Sequence, residues 1–150
     1  MSRMRGVAPF AELWKRRVEV PIRGVGTVAV LSLPDLVRAK KTQRDKDWPM
    51  IRRLVDADIA RAGARADPAR LSFWFAECRS FEVLRLLARR YPEEARRAAR
   101  IRPAVRAALR NDPRKTELLF RKEEDKERER DRIYWKPLRL DLERWRLERR

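Results

Sequence analysis

Residues 25–41 read VGTVAVLSLPDLVRAKK, and the change of pattern inside this stretch decides the fold class. Val25 to Leu31 is β-branched and mostly apolar, the composition of a strand. Ser32-Leu33-Pro34-Asp35 then starts a helix. Ser32 serves as its cap, and Asp35 at the third helical position completes a capping box with Asp in place of Glu. Leu31 and Leu36 occupy the hydrophobic-staple positions, and Pro34 is tolerated in the first turn. The helix is expected to run to about Lys41. Upstream, Arg17 to Ile22 alternates in a β manner, and Gly24 fits a turn between the two runs. Together they predict a hairpin. Two strands alone are marginal in water, so either helices cover them or a larger sheet surrounds them. A short helix over Phe10 to Lys15 precedes the hairpin.

Everything downstream reads as helix. Asp47 caps a helix that has Pro49 in its first turn. Ile51, Leu54, Val55 and Ile59 give that helix a one-sided stripe, and Gly63 lies near its end. Asp67-Pro68 punctuates the chain. Leu71 to Arg90 reads as one helix, with Trp74, Cys78, Phe81 and Leu84 on its core side and Phe75, Leu87 and Tyr91 widening that face. Pro92 and Pro103 open two short helices, and Asn111-Asp112-Pro113 breaks the second. Thr116 to Arg132 is a charged helix. Within it Glu123–Lys126, Asp125–Arg128, Glu127–Arg130 and Glu129–Arg132 are spaced to pair at i,i+3. A last apolar patch comprises Ile133, Tyr134, Trp135, Leu138, Leu142 and Trp145. Leu138, Leu142 and Trp145 share one helical face, which must dock on the core or on a partner; docking within the chain is the expectation. The fold class is therefore α+β and mostly α, a short β-hairpin followed by about six helices. Residues 1–66 and 67–150 form the two expected regions, the second carrying the charged helix 116–132.

Composition narrows the function. The chain has 150 residues with 40 Lys and Arg against 23 Asp and Glu, a net charge of +17. Charged residues make up 42%, where an average globular chain has about 25%. Slender helices around a modest core are expected. Such a charge attracts phosphates of nucleic acid or of a nucleotide; an arginine-rich coding bias on solvent faces would leave the same excess. The lone Cys78 excludes an intrachain disulfide. Histidine is absent, which removes serine and cysteine triads and most zinc sites. No run approaches the roughly 20 apolar residues of a membrane span, and Met1 to Gly6 lacks the apolar core of a signal peptide. A cytoplasmic protein with no membrane partner is expected.

The densest polar constellation is Lys40, Lys41, Thr42, Gln43, Arg44, Asp45, Lys46 and Asp47. Four cations at a helix end could hold a triphosphate, lysine as a point charge and arginine as a fork. Asp47 would orient one of them or cap the next helix. A solvated turn has the same composition. Asp45-Lys46-Asp47 and Asp56-Ala57-Asp58 are Asp-x-Asp pairs in letters only; the second lies in a helix, where residues two apart diverge. Gly24-Val25-Gly26 lacks the downstream glycine and lysine of a phosphate loop.

The strand Val28 to Leu31, the segment Ser32 to Val37, the Lys40-Lys41 pair, Arg44 and Lys46-Asp47 together resemble a segment of nucleotidyltransferase-like proteins of the AbiEii toxin type and their uncharacterised relatives. Phe10 to Arg17 is similar to a stretch that precedes that strand. The resemblance covers about residues 8–60, and it implies the carboxyl-terminal portion of such a protein. In that family a Gly-Ser turn and an Asp-x-Asp pair on neighbouring strands hold the nucleotide and magnesium, and a lysine steadies the triphosphate. By position Lys40 or Lys41 would take the lysine role, with Arg44 and Asp47 in support. No Gly-Ser pair occurs here, so no catalytic residue and no metal ligand is assigned. Inactivity alone is expected, with no cofactor bound by this chain alone. Magnesium and a nucleoside triphosphate are implied only if the missing catalytic half is present. A toxin–antitoxin role is implied by the same analogy. The rival expectation is a basic helical module that binds nucleic acid or a protein through Arg121–Arg132 and the 133–147 patch.

Overall fold

The computed structural model describes residues 5–62 and 66–148; Gly63, read as a helix end, lies outside them. The elements in order are α1 (Phe10–Lys15), β1 (Val18–Ile22), β2 (Gly26–Val30), α2 (Leu33–Lys40), α3 (Asp47–Ala62), α4 (Pro68–Glu77), α5 (Phe81–Arg90), α6 (Pro92–Ile101), α7 (Pro103–Leu109) and α8 (Pro113–Glu148). The fold is α+β and mostly α. Among the described residues seven helices follow the hairpin. One more than expected arises because residues 71–90 form two helices, α4 and α5. The chain divides into two compact units, residues 1–44 with 127–150 and residues 45–126. These limits differ from the expected 1–66 and 67–150: the last part of α8 belongs with the hairpin.

In the first unit β1 and β2 pair antiparallel, Val18 opposite Val30 and Val20 opposite Val28. Gly24 takes a φ of 79° in the turn, a conformation only glycine adopts without cost. Because directly opposite residues share a face and alternate residues repeat it, Val18, Val20, Ile22, Val28 and Val30 line one side. All of these except the half-buried Val28 are exposed. The Ser32 hydroxyl caps α2, accepting from the Asp35 amide at 3.4 Å and donating to the Asp35 carboxylate at 2.6 Å. Arg16 Nε and Nη2 each donate to that carboxylate at 3.0 Å. The Arg16 fork, with Ser32 and Arg38, outweighs burial and holds Asp35 below the ordinary carboxylate range.

The second unit has a true core. Trp48, Ile51 and Val55 of α3 are buried with Leu71, Trp74 and Phe75 of α4 and Leu84 and Leu87 of α5. Buried Ala95, Ala99, Ala104, Ala107 and Ala108 let α6 and α7 approach closely. Asp67 caps α4 by accepting from the Arg70 amide at 2.7 Å, and α4, α6, α7 and α8 all begin at or next to a proline, whose missing N–H is harmless there. The break between α4 and α5 has a physical cause. Buried Arg102 donates from Nη1 to the carbonyls of Phe75 and Cys78, both at 2.9 Å. It takes up carbonyls that a continuing helix would have bonded itself. The chain then turns at Ser80 and α5 starts.

Candidate nucleic-acid interface

Of the residues expected to form a phosphate site, Lys40, Lys41 and Arg44 belong to the first unit. Lys40 ends α2 and Lys41 follows it, both half-buried, and Arg44 is exposed. Asp47 is buried as the first residue of α3, in the other unit. The turn after Lys41 faces carboxylates of α8. The Arg5 guanidinium donates to the Lys41 carbonyl, to Glu127 at 3.2 Å and to Asp131 at 3.1 Å. The Gln43 amide donates to Asp131 at 3.0 Å. Burial alone would raise the Glu127 pKa; Arg5, Lys41 and Arg130 overcome it and leave it lowered.

Both aspartates of the Asp56-Ala57-Asp58 pair hold structural partners. Asp56 accepts from the Ser80 hydroxyl, itself bonded by Arg52 Nε at 2.8 Å. Asp58 accepts from Arg70 Nε at 3.1 Å and from Trp74 Nε1 at 2.8 Å. Among the described residues no group of three His, Cys, Asp or Glu is placed to hold a metal ion. Cys78 is buried, and that burial pushes its thiol up to about 11, so it is a core residue and no nucleophile.

Many arginines serve as internal struts. Glu123 of α8 accepts from Arg102 Nη2 at 2.7 Å and from Arg79 Nη1 at 2.9 Å. Burial pushes the Glu123 pKa up; the two guanidiniums overcome it and bring it below the ordinary value. Glu123 therefore faces Arg102 and Arg79, where the sequence spacing suggested Lys126. Of the other expected i,i+3 pairs, Glu127–Arg130 forms at 2.7 Å and Glu129–Arg132 also forms. The charged helix thus gives Glu123, Glu127 and Asp131 to arginines of other segments and pairs Glu127–Arg130 and Glu129–Arg132 within itself.

The unneutralised charge lies elsewhere. Residues 85–115 carry eleven Lys and Arg against three Asp and Glu, a net of +8. Arg89, Arg97, Arg100, Arg110, Arg114 and Lys115 are exposed, and none has a carboxylate partner among the described residues. They lie on α5, α6, the end of α7 and the first turn of α8. α6 packs on α4, α5 and α7, and α5 on α7, so a single packed group of helices carries the surface. Arg106 stiffens it by donating from Nε to the Ala99 carbonyl at 3.0 Å. The sequence held a usable signal, a run of thirty-one residues with few acids. The whole-chain net charge of +17 does not show where that run lies.

The expected docking of the last apolar patch within the chain is overturned. Leu138, Leu142 and Trp145 are exposed, as are Ile133 and Tyr134. No described helix is long and apolar enough to cross a membrane. No family model matches the chain, and neither a curated protein nor a solved structure matches it.

Proposed function

We propose that this chain is a basic helical module that binds the phosphate backbone of nucleic acid through α5 to α7 and the start of α8. One observation carries the reading: six exposed cations on α5, α6, the end of α7 and the first turn of α8 lack carboxylate partners among the described residues, while Arg70, Arg79 and Arg102 of the same unit are bound to acids. Guanidiniums held on rigid helices suit phosphate recognition. The surface holds no aromatic platform beyond Tyr91, so it favours backbone contact over base stacking. On this reading the module works in the cytoplasm. Titration of a labelled oligonucleotide at rising salt tests it. Six phosphate contacts predict an affinity loss of about a thousandfold between 50 and 200 mM salt. Replacing Arg97, Arg100, Arg110 and Arg114 with Ala should flatten that slope and weaken binding to RNA and DNA of any sequence. Binding that ignores salt, or that survives the four changes, ends the proposal.

A second reading has its own support. The apolar, exposed side of the hairpin is what a strand pair belonging to a larger sheet presents, and residues 8–60 resemble the nucleotidyltransferase-like segment. On that reading the chain is the carboxyl-terminal portion of such a protein, inactive alone, with nucleotide phosphates held by Lys40, Lys41, Arg44 and Asp47. Magnesium, the triphosphate and a toxin–antitoxin role belong to the complete protein. Lys40→Ala with Lys41→Ala then abolishes nucleotide binding while the four arginine changes leave it intact; the reverse pattern favours the first reading.

A further inference from the structure

The exposed end of α8 carries a more specific pattern than apolarity. Trp135, Leu138, Leu142 and Trp145 are spaced by three, four and three residues, the alternation of a coiled-coil seam. Leu138, Leu142 and Trp145 are 45%, 43% and 58% exposed. The two flanks of the seam differ in sign. Arg139 and Arg146 each follow a seam residue on one flank. Asp141 precedes Leu142, and Glu148 lies one heptad further along the other flank.

In a parallel pair of identical helices, each flank meets the opposite flank of its partner one heptad on. Asp141 then faces Arg146 of the second copy, and symmetry repeats the pair. Tyr134 faces Arg139 of the second copy, an arrangement suited to a cation–π contact. An antiparallel pair would set Arg139 against Arg139 and Asp141 against Asp141. Over residues 134–148 four cations meet three anions, so this surface has little pull on a polyanion and complements itself. Pro137 sits on the outer side, between the seam and the back of the helix, and its ring does not enter the seam. We propose that the end of α8 pairs with the same segment of a second copy of this chain, as a parallel two-stranded coiled coil over residues 134–148.

Sedimentation equilibrium of the full chain tests this. The expected mass is twice the 18.0 kDa of one chain. Leu142→Asp should return it to a single-chain mass with far-ultraviolet dichroism nearly unchanged, because the side chain is exposed. Arg139→Glu with Arg146→Glu should be monomeric, as should Asp141→Arg with Glu148→Arg, and an equal mixture of the two should dimerise. Leu142→Cys should form an intermolecular disulfide under mild oxidation, since identical seam positions meet only in a parallel pair. A wild-type chain that stays monomeric at high micromolar concentration overturns the proposal. So does a dimer that both charge-reversed variants keep, or one that Leu142→Cys fails to cross-link.

Discussion

The two units of this chain are built on different balances of force. Of the nineteen buried apolar residues described, only Leu13 and Val37 belong to the unit of the hairpin; the rest lie in residues 45–126. The helical unit is held by removal of apolar surface from water, with arginine–carboxylate pairs added at helix ends. The hairpin unit has little such surface to lose. Its long-range ties are ionic, Arg16 with Asp35 and Arg5 with Glu127 and Asp131. A partly exposed ion pair weakens as salt or acid rises, whereas a packed core does not respond to salt in that way. The same composition, rich in arginine throughout, thus yields one segment that resists solution conditions and one that follows them.

The largest expected effect breaks the helical unit. Trp74 is 1% exposed, and its indole N–H bonds Asp58. Trp74→Ala should cost about 3–5 kcal/mol, seen as a lowered urea midpoint by far-ultraviolet dichroism. A loss under 1 kcal/mol, on the order of a surface change, would mean that the core is not centred on α3 and α4. A smaller loss follows from Glu123→Ala, which leaves Arg79 and Arg102 without their carboxylate. About 1.5–3 kcal/mol is expected, the range for hydrogen bonds to charged groups. Glu123→Gln should recover part of it by accepting from Arg102.

The smallest effect sharpens the contrast between the units. Asp35 and Glu127 have lowered pKa values in the folded chain. The stability they contribute is fully present above the unfolded values near 4, and is lost as pH falls through the lowered folded values. Asp58 and Glu123 add the same sign in the helical unit, but there a core remains after protonation. Protection factors, taken against the intrinsic exchange rate at each pH, should therefore fall first in residues 10–40, and later in residues 48–109. Simultaneous loss of protection in both would show a single cooperative unit.

Much of this fold was legible in order along the chain. The strand-to-helix switch at Leu31–Ser32, the Ser32 cap, and the Asp67-Pro68 and Pro92 starts are local signals, and they appear where local chemistry puts them. The Asp56-Ala57-Asp58 divergence followed from helical geometry alone. The break at residues 78–80 was illegible, because the apolar face runs through it and its cause is Arg102, distant in sequence. The candidate interface was hidden for a related reason. Arg79 and Arg97 are the same letter, yet one is buried against Glu123 and the other faces water. Which cations remain for a ligand is decided by which acids the fold has already used. The surroundings of the Lys40–Lys41 turn were hidden on the same ground: Asp131 and Glu127, far along the chain, are tied to it through Arg5 and Gln43.

Pro137 inside α8 has a consequence in time. Lacking an amide hydrogen, it leaves the Ile133 carbonyl without its helical donor, so the last eleven residues of α8 are tied to the preceding turns by one bond fewer. In an isolated chain those amides should open and reclose independently of the turns before them, exchanging with solvent well ahead of residues 113–126. A second strand across the seam would slow that clock. The lifetime of the Leu142 amide thus reports how long the tail spends alone.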